Sequence, residues 1–138
     1  MNNIESFKYL IKERDVTIVI PAAGITHCIS AGAYTELINE NQKVYIIKKN
    51  IKTVLEELAH PYFIRVSRSH VVNLKYLKCI YNREKQLELE GGIRLEFSVA
   101  AFKLTQEVEH IFKNGLIRDR SPSFKIYTNS DKSGEEQY

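Results

Sequence analysis

Cysteine is too scarce here to frame a fold: Cys28 and Cys79 are the only two, and each lies among apolar neighbours, THCISA and LKCIYN. Both are expected to be free thiols in a reducing compartment, the cytoplasm. Neither the cysteines nor the four histidines show a CxxC or HxxxH spacing, so no metal site is expected. The six glycines form neither GxGxxG nor the GxxxxGKS/T loop, which leaves nucleotide hydrolysis without a phosphate cradle. No apolar run approaches the roughly 18 residues of a membrane span. The opening MNNIESFKYLIKERD carries charges where a signal peptide has its apolar stretch. No cofactor is expected.

A catalytic constellation is missing as well. Ser69 and His70 are adjacent, and neighbouring strand residues point to opposite faces, so they are poorly placed as nucleophile and base. The carboxylate pairs Glu56-Glu57 and Glu135-Glu136 are explained by solvation. No enzyme activity is predicted.

The chain does have enough apolar residues, 43 % over 138 positions, for one packed domain. Alternating apolar residues predict a first hairpin, with Phe7, Tyr9 and Ile11 on one strand and Val16, Ile18 and Ile20 on the next. Further strands are predicted over 25–30, 34–39 and 44–48, the last expected to be buried on both faces. Asn50 and the spacing of Ile51, Val54, Leu55 and Leu58 predict a short helix ending before Pro61. Strands over 77–81, 86–90 and 93–97 follow, the last two joined by Gly91-Gly92. A closing helix is predicted from an N-cap at Ser98 to about Lys113, with Phe102, Val108, Ile111 and Phe112 as its apolar face. From residue 114 the chain turns polar and is expected to be a mobile tail; the alternative is an edge strand around Phe124, Ile126 and Tyr127.

Positive charge is concentrated. Residues 43–85 hold ten Lys or Arg against three Glu and no Asp, although the whole chain has a net charge of only +3. Within FIRVSRSHVVNL, from Phe63 to Leu74, two arginines, two serines and a histidine interrupt a strand pattern. Arg65, Arg68, His70, Lys75 and Lys78 fall in fourteen residues without an acid. Guanidinium groups pair with phosphate or with the guanine edge, and basic residues also protect exposed strand edges. Charge alone leaves both readings open.

The segment FIRVSRSHVVNLKYLKCI resembles the signature of the LytTR DNA-binding family, with Phe63, Arg65, Arg68, Ser69, Val72 and Asn73 in register. ITHCISAGAYTELI, KNIKTVLEEL and LEFSVAAF resemble that family's strand-loop-strand segment, short helix and closing strand, so the likeness spans about residues 4–113. It implies a mostly β, elongated arrangement of small antiparallel sheets with one short helix and a C-terminal helix, in a domain over 1–113. It implies a bacterial transcription regulator that binds double-stranded DNA, placing loops in successive major grooves.

The three loops carry over as 32–35, 65–70 and 98–103. The DNA-binding residues implied are Tyr34, Thr35, Arg65, Arg68, Ser69, His70, Ser98 and Lys103, with Arg68 as base reader and Arg65, Ser69, Ser98 and Lys103 on phosphates. Tyr34 either touches DNA or packs, and Asn73 is expected to satisfy backbone groups. The chain departs from the pattern at Ser67, at His70 and at Ala100-Ala101, where alanine offers only a methyl contact. No receiver domain precedes the LytTR-like part, so either a freestanding response regulator-like protein or a fragment of a longer one is expected. A homodimer on repeated sites and a regulatory protein partner are further expectations. The alternative is a protein-interaction module on the same scaffold, with weak or nonspecific DNA binding.

Overall fold

The computed structural model describes residues 3–115. The polar segment expected to be mobile lies, from residue 116 on, outside the described residues. Ten strands form three antiparallel sheets. β1 (Lys8–Lys12) and β2 (Thr17–Pro21) make the first hairpin, in which Tyr9 pairs with Ile20 and Ile11 with Ile18. Tyr9, Ile11 and Ile20 point inward, as the alternation predicts.

The central sheet has the order β5-β4-β3-β7-β6. Its strands are β3 (Ile25–Ala31), β4 (Tyr34–Asn39), β5 (Val44–Ile47), β6 (Phe63–Arg65) and β7 (His70–Asn73). A register shift between Ile25 and His27 marks a bulge, which lets Ile25 and Cys28, three positions apart, both join one core. The third sheet has β8 (Leu77–Tyr81), β9 (Gln86–Leu89) and β10 (Ile93–Glu96) in the order β10-β9-β8. Gly91 and Gly92 turn β9 into β10 at φ +91° and +81°, a backbone that other residues adopt at a cost.

Two cores sandwich the central sheet. On one face Ile25, Cys28, Leu37, Ile47, Phe63 and Val71 meet Ile51, Val54 and Leu58 of helix α1 (Ile51–Leu58) and the inner side of the first hairpin. On the other, Ile64, Val66 and Val72 meet Leu87 and Leu89 of β9 and Leu104 and Val108 of helix α2 (Ala101–His110). Adjacent residues in β6 and β7 therefore go to opposite cores. That is why FIRV and HVVN read as nearly unbroken apolar runs. Burying each such side chain contributes about 1.5–3 kcal/mol.

Two expectations are corrected. β5 is an edge strand with Val44 and Ile46 exposed and Ile47 buried, because among the described residues no sheet or helix covers its outer face. The closing helix begins at Ala101 behind Ala100, which makes no side-chain cap, because the Ser98 backbone is bonded to the Val66 carbonyl and to Lys85. Its buried face is Leu104, Val108 and Ile111, whereas Phe102 is 70 % exposed. Two helical positions before Leu104, Phe102 projects to the opposite side.

Candidate nucleic-acid interface

The turn from β6 to β7 spans residues 66–69 and is closed by its own polar groups. The Val66 amide donates to the His70 carbonyl at 3.0 Å. The Arg65 guanidinium donates to the Ser67 carbonyl at 3.2 Å and to the Arg68 carbonyl at 2.7 Å. Ser67 Oγ accepts from the Ser69 amide and lies 3.2 Å from His70 Nδ1. Partial burial lowers the His70 pKa, and the nearby Glu96 opposes that shift. Ser67 Oγ and His70 Nδ1 share one hydrogen bond, whose donor is set by the tautomer of the ring. Contact with His70 falls to Ser67, one turn of the loop away, and not to Ser69.

This loop leaves Arg68 and Ser69 exposed. Among the described residues Arg68 has no hydrogen bond or ion pair for its guanidinium, so its five donors are directed to solvent. Two backbone bonds bring the other loops alongside. The Ser30 amide, at the end of β3, donates to the Ser69 carbonyl at 2.8 Å, and the Ser98 amide donates to the Val66 carbonyl at 2.9 Å. Lys85 adds a 3.3 Å bond to the Ser98 carbonyl. Three stretches distant in sequence thus share one edge of the molecule.

The predicted residues have different fates there. Tyr34, beside Gly32 with its φ of +71°, is 47 % exposed; Ser98 and Lys103 are also exposed. Thr35 is fully buried and its hydroxyl donates to the Lys49 carbonyl at 2.8 Å, so it ties β4 to the chain after β5. Asn73 is fully buried: Nδ2 donates to the Ile25 carbonyl and Oδ1 accepts from the Lys75 amide. Lys75 and Lys78, part of the same basic run, pair with Glu5 and Glu88. The run is therefore split, and only its first half reaches the loop edge. Val99 and Phe102, unmarked by charge, are exposed on the third loop; the apolar run between Ser98 and Lys103 was the signal.

Behind the loop turn, His27 of β3 is buried with its Nδ1 2.8 Å from the Thr26 hydroxyl. That hydroxyl donates to the Ile38 carbonyl, so His27 carries its proton on Nδ1. Burial and the neighbouring His70 push its pKa down to about 4.

A second feature lies on the first hairpin. Residues 7–14, 46–49 and Glu57 line a groove of about 840 Å3, walled by the unpaired edges of β1 and β5. Lys8, Lys12, Arg14, Lys48 and Lys49 outnumber Glu13 and Glu57 in it, and Glu57 is engaged by Tyr9 and Lys49. Both cysteines are free thiols. Among the described residues no helix is long and apolar enough to cross a membrane, and no group of three His, Cys, Asp or Glu is placed to hold a metal ion.

Comparison with known proteins agrees with this arrangement. Among solved structures, a LytTr DNA-binding domain from Bacillus cereus superposes with a TM-score of 0.60 at 21 % identity, covering 73 % of this chain and 94 % of that one. No curated protein matches the chain. The sequence model of the LytTr DNA-binding domain family matches residues 15–108, most of the chain and all three loops, and the chain belongs to that family.

Proposed function

We propose that this protein is a sequence-specific transcription regulator of bacterial type, acting in the cytoplasm, that reads successive major grooves with its three loops. The observation that carries the reading is the pair of backbone bonds, Ser30 to Ser69 and Ser98 to Val66, which gathers the loops around an unpaired Arg68. Arg68 reads a guanine edge, where a bidentate pair discriminates by about 1–3 kcal/mol. Ser69, Ser98 and Lys103 hold phosphates, with Tyr34 beside them, and His70 supports the loop through Ser67. Two copies on repeated half-sites fit this mode of reading.

Selection of bound duplexes from a random pool tests it. Arg68→Ala is expected to lower affinity for the enriched duplex roughly 5- to 150-fold in a gel-shift assay and to relax one base position. With about five phosphates neutralised, the log-log salt slope should fall near -4 to -5. Unchanged binding by Arg68→Ala sinks this reading mode.

The groove between β1 and β5 favours a second reading, a protein-interaction module with weak DNA binding. Unpaired strand edges accept an extended peptide through main-chain bonds, and the cations left beside the Lys49–Glu57 pair, Lys8, Lys12, Arg14 and Lys48, suit an acidic one. A peptide of alternating Glu and Val, titrated into the full chain, is expected to slow amide exchange in β1 and β5; unaltered exchange rejects this second reading.

A further inference from the structure

We propose that the third loop reads thymine through its 5-methyl group, with Val99 and Phe102 as the contacting side chains. The inference rests on the DNA-reading function above and gives it a base preference. Between Ser98 and Lys103 the segment Val99-Ala100-Ala101-Phe102 has no side-chain donor or acceptor. Hydrogen-bond discrimination of bases is closed to it. Among the groups that base pairs present in the major groove, the thymine methyl alone is recognised by apolar contact.

The side chains are placed for that contact. Phe102 is 70 % exposed and Val99 37 %, while α2 buries Leu104 and Val108 on its other side. Packing therefore does not account for Phe102. Other exposed apolar pairs exist, Val44 with Ile46 on β5 and Leu10 with Val19 on the first hairpin. Of these pairs among the described residues, Val99 and Phe102 alone belong to a loop bonded directly to the turn that carries Arg68, through the Ser98 amide and the Val66 carbonyl; Tyr34, on the loop bonded through Ser30, carries a hydroxyl. A thymine within reach of Phe102 would lie in the same duplex as the guanine under Arg68. The predicted site pairs a guanine under Arg68 with one or more thymines on the side of the third loop.

The test uses the full chain and the duplex it enriches from a random pool, with each thymidine replaced in turn by deoxyuridine. Pairing is kept and only the methyl is lost. At the thymines under the third loop, each replacement is expected to weaken wild-type binding about fourfold, the worth of one buried methyl. Phe102→Ala should remove that sensitivity, Phe102→Leu should retain part of it, and Arg68→Ala should keep it while losing the guanine preference. Phe102 is so exposed that its truncation leaves the core intact. Deoxyuridine without effect at every position overturns the proposal, as does a Phe102→Ala, Val99→Ala double variant that keeps wild-type sensitivity. A Phe102→Ala loss that is equal for thymine and uracil duplexes also overturns it, because Phe102 then acts by wedging and not by methyl contact. If no duplex is enriched at all, the DNA-reading function itself fails.

Discussion

Arg65 and Arg68 carry the same charge three residues apart, yet the fold sets them different tasks. Arg65 spends its guanidinium on two carbonyls of its own loop, whereas Arg68 has no such partner. Lysine cannot reproduce the planar fork that spans both carbonyls. Arg65→Lys is therefore expected to weaken specific binding about 3- to 10-fold by loosening the loop, with the salt slope unchanged. A slope smaller by about one would instead make Arg65 a phosphate contact. Asn73 illustrates the same division. Its replacement by Ala strands the buried Ile25 carbonyl and takes the partner from the part-buried Lys75 amide, with an expected stability loss of about 2–3 kcal/mol in urea unfolding. The sequence pattern placed Arg65, Arg68, Lys75 and Lys78 in one basic run, and only half of that grouping survives. Linear charge density says nothing about Glu5 and Glu88, which arrive from the 3-10 turn before β1 and from β9 to take the two lysines. Phe102 was misplaced for a related reason: an apolar residue at a helix start is assigned to the core unless the orientation of the helix is known.

At the scale of elements, local chemistry was legible wherever a turn or cap decides the structure. Asn50 caps α1 by accepting from the Thr53 amide at 2.9 Å, and the glycine pair makes the β9-β10 turn. The start of α2 was not legible, because Ser98 is an apt N-cap by type but its backbone is taken by Val66 and Lys85. Tertiary bonds outweighed a preference of about 1 kcal/mol. The position of β5 at an edge was equally hidden, since the order of strands depends on pairings between distant segments. One local detail offers a direct test. Ala59 ends α1 in the left-handed region at φ +49°, where a Cβ is strained and glycine is the usual residue. Ala59→Gly is expected to stabilise the protein by about 1 kcal/mol, seen as a higher urea midpoint, after the strain of about 1–2 kcal/mol is set against the greater unfolded-chain entropy of glycine. A lower midpoint would show that the αL backbone is not what limits this helix end.

For the molecule as a whole, the central sheet is the structural link between the two cores and the loop edge, and its histidines make stability depend on pH. His27 pairs across the strands with Val72, and Ile29 with His70, so both imidazoles lie on the same face. Charged groups toward that face are Glu36, paired with Ile29 in β4, and Glu96, whose charge reaches His70. Burial, and then the neighbouring His70, hold His27 at a pKa of about 4, below the ordinary value of about 6.5 for an unfolded chain. Between these values the unfolded state binds the extra proton. The stabilisation is thus complete above about pH 6.5 and is lost as pH falls toward 4. His70, also lowered, adds in the same direction. From pH 7.5 to 5.5 the expected loss is about 1 kcal/mol after allowance for partial solvent screening, and this window stays above the ordinary carboxylate range. Urea unfolding at the two pH values measures it. His27→Gln should remove most of the difference, and adding His70→Gln should flatten the remainder. Equal slopes in wild type and the double variant would place the pH dependence elsewhere.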